Sequence, residues 1–319
     1  MKHDFPIVAF LIILFFCSQI FGLVILGNYV DYTKTFELGK VVFKPLPFEM
    51  ERPEVTPEYS FVYIMVGVLI ATGILMLIIK YGKVGLWKFW YFLSVFFCLM
   101  IALTAFFPED YGFILALILG IWKVFRPNII IHNLTEIFIY GGILVVFAPM
   151  LSLMSMVLLL LLISAYDMYA VWKSKHMVDM AQFLTESKTF AGLFVPYTPK
   201  QPIKQLIPQK ITKTSQIKPT AQLETQIVKV KVRSAVLGGG DIAFPLLFTS
   251  TIFQKLLLLF GSAGGLSFGF YWRMAIVPIF ATIALILLFS QSKKDVFYPA
   301  MPFLSLGCFI GYGLLWLTL

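Results

Sequence analysis

The sequence predicts an all-α polytopic membrane protein with nine transmembrane helices. Composition is the first reason. The 319 residues are 60% hydrophobic and 13% charged, with a mean hydropathy of +0.90. Soluble domains run at roughly 45–50% apolar and about 25% charged. The second reason is that the apolar residues gather into runs near the ~20 residues a helix needs to cross a bilayer. The third is the placement of Lys and Arg. The net charge of +9 is better explained by basic cytoplasmic loops than by a nucleic-acid partner.

The runs fall at about 5–27, 59–80, 86–107, 111–126, 129–148, 150–172, 236–257, 268–290 and 297–318. The first is too long for a signal-peptide core of ~7–15 residues and has no small-residue cleavage site, so it is expected to be a retained helix. The fourth is short, and Arg126-Pro127-Asn128 divides it from the fifth. Pro149 leaves only a tight turn before the sixth. With the N-terminus placed in the cytoplasm, 19 Lys and Arg lie inside and 6 outside. The long loop supplies 11 of the 19, and the short loops alone divide 8 to 6 in the same sense. The expected protein is integral to the cell membrane, with the N-terminus cytoplasmic and the C-terminus outside.

The chain divides into helices one to six (1–172), a cytoplasmic loop (173–235) and helices seven to nine (236–319). Residues 28–58 form an outer segment expected to be irregular. The middle of the cytoplasmic loop, about 196–225, is rich in Pro, Lys, Gln and Thr and is expected to be mobile. Lys175 to Leu184 has apolar residues at helical spacing and suits a short interfacial helix. Ile227 to Ser234 alternates Val228, Val230 and Val232 with basic residues, the period of a short β-strand before helix seven. A lone strand needs a partner, either the other arm of the loop or a substrate.

The chemistry centres on Val236-Leu237-Gly238-Gly239-Gly240-Asp241 and on Ser164-Ala165-Tyr166-Asp167. A carboxylate inside a spanning run is costly and marks a functional site by default. Asp167 lies about five residues before the end of helix six. Asp241 lies about six into helix seven. Both therefore sit roughly 8–9 Å inside the cytoplasmic boundary at ~1.5 Å per residue. The helices are antiparallel, so equal depth lets them face. Gly238, Gly239 and Gly240 permit close backbone approach and weaken the helix, admitting water. Two carboxylates at such range cannot both be charged, so the pair holds one proton. The charged member can take a proton from an attacking water while the other donates to a peptide carbonyl. No metal or other cofactor is required. On these residues alone two plainer readings stand beside the hydrolase: separately paired buried groups, or a proton relay in a carrier.

Tyr166-Asp167 and Gly238-Gly239-Gly240-Asp241 resemble the YD and GxGD motifs of the presenilin and signal-peptide-peptidase family of intramembrane aspartyl proteases. Lys175-His176-Met177-Val178-Asp179 looks like the archaeal branch. Asp241-Ile242-Ala243-Phe244-Pro245 looks like the signal-peptide-peptidase form of the helix. Pro299-Ala300-Met301 stands where the family has Pro-Ala-Leu; Leu to Met is a mild exchange. Gly239 stands where relatives often have Leu, which leaves room beside the site. The inside-first orientation is the presenilin one. The resemblance implies that Asp167 and Asp241 are the catalytic pair and that Pro299, Ala300 and Met301 shape their site. It implies single-span transmembrane substrates cut within the bilayer after local unwinding. An unwound substrate could then add to the strand at Val228, Val230 and Val232.

Other candidates carry less. His132 and Glu136 share a helix face, but a metal site needs more ligands and no HExxH is present; a satisfied polar pair is expected. Gly261-Ser262-Ala263-Gly264 lacks a following His base and is expected to be a tight turn. Asn133-Leu134-Thr135 fits the glycosylation pattern but falls on the inner side. Cys17, Cys98 and Cys308 all lie in apolar runs and form no disulfide framework. A prepilin-peptidase-like enzyme and a proton-coupled carrier remain as alternatives, though no internal repeat of the carrier kind is evident.

Overall fold

The computed structural model describes residues 5–126, 128–174, 183–184, 187, 189–197, 233–262, 265–266, 268–291 and 298–319. The protein is mostly helical. The long helices are α1 (Phe5–Asn28), α3 (Ser60–Lys80), α4 (Val84–Leu103), α5 (Glu109–Phe125), α6 (Ile129–Phe147), α7 (Leu153–Tyr169), α8 (Gly239–Phe260), α9 (Phe268–Gln291) and α10 (Met301–Trp316), with a short α2 (Tyr32–Leu38) after α1. Among the described residues seven of them are long and apolar enough to cross a membrane: α1, α3, α4, α6, α7 together with the π-helical turn Ala170–Ser174 that continues it, α8 and α9. The 17-residue α5 and the 16-residue apolar α10 are shorter.

Most of the bundle closes on one apolar core drawn from α1, α6, α7, α8, α9 and α10, with Phe15, Leu144, Leu159, Phe248, Leu285 and Leu304 near its centre. A second cluster joins α4 to α5 and touches α6. Glycines set the closest approaches. A Cβ at Gly311 would stand 3.0 Å from the Val277 Cα, and one at Gly307 would stand 2.7 Å from the Phe280 carbonyl oxygen. These two small residues, four apart, let α10 lie against α9 as small-xxx-small pairs do in membranes. Ser164 Oγ and Ser305 Oγ share a 2.9 Å hydrogen bond that ties α7 to α10.

The outer segment 28–58 is largely irregular, as its composition suggests, around the short α2. Asp31 caps α2 by accepting from the Lys34 N–H, and Gly39 ends it in the left-handed conformation at φ 64°. Val30 bridges Phe43, and the Arg52 guanidinium donates to the Lys44 and Val145 carbonyls. Residues 261–262 pair with 265–266 in a small hairpin, the tight turn expected between the helices on either side.

Two strands pack at the opposite end. β1 (Gly192–Tyr197) pairs antiparallel with β2 (Arg233–Gly238), in register Phe194 to Val236 and Gly192 to Gly238. The described strand before the seventh long helix extends to Gly238, beyond the alternation of Val and Lys, and its partner is the other arm of the loop. Val228, Val230 and Val232 lie outside the described residues, as does most of the 175–184 segment. Because Val236 and Leu237 belong to the sheet, α8 begins at Gly239 and not at Val236.

Candidate active site

The end of α7, the β2–α8 junction and the start of α10 meet at one end of the bundle. Asp167 is two residues from the end of α7 and 6% exposed. Asp241 falls in the first turn of α8, closer to the helix end than the six residues expected. Asp167 is followed by a π-helical turn, Ala170–Ser174, that carries the helix on, whereas Asp241 is two residues from the start of its own. Asp167 lies within electrostatic reach of Asp241.

Backbone donors surround both. The Met301 N–H donates to Asp167 Oδ2 at 3.1 Å, and the Ala300 amide also bonds the carboxylate. These amides open α10, where a helix presents unpaired N–H groups and favours negative charge. Pro299 and Met301 are buried and Ala300 is partly buried there. The Gly238 amide bonds the Asp241 carboxylate. Gly238 is the N-cap of α8 and Asp241 its third residue, so this is the return half of a capping box. Tyr166 is half-buried beside Asp167.

The glycines have distinct surroundings. A Cβ on Gly239 would stand 3.3 Å from Tyr140 Oη and 3.3 Å from the Ala191 carbonyl. The room that glycine leaves is thus taken by a tyrosine hydroxyl and a backbone oxygen, not left open for substrate. A Cβ on Gly238 would meet Asp241 Oδ2 at 3.2 Å, whereas Gly240 is exposed. Pro245 lies one turn further into α8. A proline there has no N–H and pushes aside the carbonyl four residues back. Gln19, buried in α1, donates to the Ile242 carbonyl at 2.9 Å and steadies that turn.

Beneath the glycines runs a polar cluster that the sequence reading saw only in part. Glu136 accepts from Lys123 Nζ at 2.7 Å and from Tyr140 Oη at 2.6 Å, all three side chains being buried. The expected polar pairing of Glu136 with His132 is the weaker contact, at 3.9 Å. Lys123 had counted as a basic residue of the inner face, yet Glu136 holds it inside the protein. A lysine three residues from the end of an apolar run, with a glutamate in the next, was the available signal. Among the described residues no group of three or more His, Cys, Asp or Glu is placed to hold a metal ion.

An open cavity of about 270 Å³ lies at the other end, lined by residues including Gly27, Tyr32, Phe253 and Phe270. Phe253 is twelve residues along α8 from Asp241, roughly 18 Å at ~1.5 Å per residue, so this cavity is not part of the carboxylate site.

Residues 39–318 match the family described as signal-peptide peptidase, presenilin aspartyl protease. Two solved structures of a presenilin family intramembrane aspartate protease share the fold. The one in space group P2 has a TM-score of 0.57 at 12% identity, covering 97% of each chain. The one in space group C222 has a TM-score of 0.52 at 13% identity, covering 95% of this chain and 94% of that one. No match was found among curated proteins. The carrier and prepilin-peptidase readings gain nothing from these comparisons. A family match across most of the chain has one meaning: this chain belongs to the signal-peptide peptidase and presenilin family of intramembrane aspartyl proteases.

Proposed function

We infer that this protein hydrolyses peptide bonds inside the bilayer, with Asp167 and Asp241 sharing one proton and one water. The charged carboxylate takes a proton from the water as its oxygen bonds to the scissile carbonyl carbon. The protonated carboxyl gives its proton to the carbonyl oxygen, forming a gem-diol. The diol then returns that proton as the C–N bond breaks, and the amine leaves with the proton taken from water. The amides of Gly238 and Met301 keep the carboxyls fixed through both steps. Acid and base belong to the pair as a unit, because such groups titrate together.

The substrates are single transmembrane helices of other proteins. We place nine crossings in the chain by adding α5 and α10 to the seven long helices, with the N-terminus cytoplasmic and the C-terminus outside in the cell membrane. A helix shields its own peptide bonds, so local unwinding precedes attack. The sheet offers the unwound segment a place to bind. The Phe194 N–H and carbonyl turn away from β2, toward Asn133. The Gly239 N–H bonds the Ala191 carbonyl. Ladder bonds therefore run through Ala191, Leu193 and Val195, and the Phe194–Val236 pair is not hydrogen-bonded. The Val236 N–H and carbonyl thus face outward, on an edge that ends at Gly238 and Asp241. Val236 is 39% exposed.

What supports this reading is a pair of acidic side chains from two helices within electrostatic reach of each other, each with a backbone amide on its carboxyl. Replacing Asp167 or Asp241 by Asn tests it. Each variant should cut a reconstituted single-span substrate roughly 10²–10⁴-fold more slowly while keeping the wild-type melting transition. Cleavage by either variant at the wild-type rate would remove the dyad.

A further inference from the structure

A two-stranded sheet has two edges, and only one of them ends at the carboxylates. The other, on the outer side of β1, is occupied by helix side chains. Tyr91 Oη donates to the Phe190 carbonyl at 3.1 Å. His132 Nε2 lies 2.8 Å from the Gly192 carbonyl, which makes Nε2 the protonated nitrogen and leaves Nδ1 to accept from Lys123 Nζ at 3.4 Å. Asn133 does most. Its Nδ2 donates to the Phe194 carbonyl at 2.8 Å, and its Oδ1 accepts from the Phe194 N–H at 3.0 Å. One side-chain amide, giving and taking on one residue, reproduces the two bonds of a neighbouring strand. Asn133 is 5% exposed, which also excludes it as a glycan acceptor.

We propose that Asn133 is a specificity-determining positioning residue that closes the outer edge of β1, so that a substrate strand adds only along β2. The inference rests on the protease reading and deepens it. A strand captured on β1 would lie three strand spacings from one captured on β2, roughly 14 Å at ~4.8 Å per spacing. It would be held where neither carboxyl reaches it. Asn suits the task because its amide has the donor and acceptor of a peptide group; Asp lacks the donor, and Ala has neither. The residue is fixed in turn from below, since Lys123 Nζ bonds the carbonyl of the preceding His132 at 3.3 Å and is itself anchored by Glu136.

The test uses the full chain in proteoliposomes with a single-span substrate. It measures kcat, KM and the masses of both products, together with binding of a hydroxyethylene peptide isostere that mimics the gem-diol. Asn133→Ala should lower kcat/KM about tenfold through loss of two strand-like bonds. It should also shift or multiply the product ends, while the isostere binds within about twofold of wild type. Unchanged product ends with unchanged kcat/KM overturn the inference. Loss of isostere binding together with cleavage also overturns it, since Asn133 then supports the fold and not the path of the substrate. Wild-type protein that neither binds the isostere nor cuts any helix overturns the protease reading, and this inference with it.

Discussion

Val236→Pro isolates the proposed edge of β2 from the rest of the sheet. In the register of Phe194 with Val236, the Val236 N–H faces away from β1. Proline there removes a donor that only an incoming strand would use, and proline is tolerated on a strand edge for that reason. The ladder bonds of Leu193 and Val195 stay intact. The loss is one backbone hydrogen bond between enzyme and substrate, worth about 0.5–1.5 kcal/mol net. At ~1.4 kcal/mol per tenfold, kcat/KM should fall about two- to tenfold. The assay is cleavage of a single-span substrate in proteoliposomes, with Val236→Ala as the companion variant because it trims the side chain and keeps the N–H. Binding of a gem-diol mimic checks that the carboxyl pair is undisturbed. If Val236→Pro and Val236→Ala cut at the same rate, no substrate strand uses this edge, and the register argument fails.

Two predictions concern the scaffold. Glu136→Ala strips the buried Lys123 ammonium of its carboxylate and should destabilise the protein by about 3–5 kcal/mol, read as a lowered melting temperature in detergent. Adding Lys123→Met should restore most of that loss, because a buried pair replaced by apolar groups is close to neutral. Gly142→Ala would drive a Cβ into the Cys98 backbone carbonyl, which has no rotamer to escape by. It should cost at least about 1–3 kcal/mol and separate α4 from α6, again seen in the melting transition.

What the sequence made legible was whatever lipid makes expensive. Asp167 and Asp241 stood out because a carboxylate in an apolar run needs a reason, and the fold leaves them within electrostatic reach. Seven of the nine expected spanning helices were legible from run length alone. The start of α8 was not, because Val236 and Leu237 continue the apolar run, and such a run does not separate strand from helix. Gly238 was the usable mark, as the residue where the sheet stops and the helix is capped. β1 was less visible still. Gly-Leu-Phe-Val-Pro-Tyr has no alternation and contains a proline, and it becomes a strand through pairing with residues some forty positions away and through Asn133. The outer segment is irregular as expected, but what fixes it are distant contacts such as Arg52 to the Val145 carbonyl, which composition does not record.

The open edge of β2 bears on where the water comes from. Inside a bilayer each backbone polar group needs an internal partner or water. The β1 edge meets that demand with Asn133 and His132, and the helices meet it with their own ladders. The outward N–H and carbonyl of Val236 have no such provision from β1, so between substrates they call for water. Water there would stand two residues from Gly238, whose amide already bonds the Asp241 carboxylate. An arriving strand would displace it along the edge while the carboxyl pair retains the molecule that attacks. On this view a strand edge with no partner strand among the described residues serves two steps of one reaction. It holds the unwound substrate, and in the substrate's absence it keeps the glycine turn wet. A closed edge, built as tightly as that of β1, would do neither.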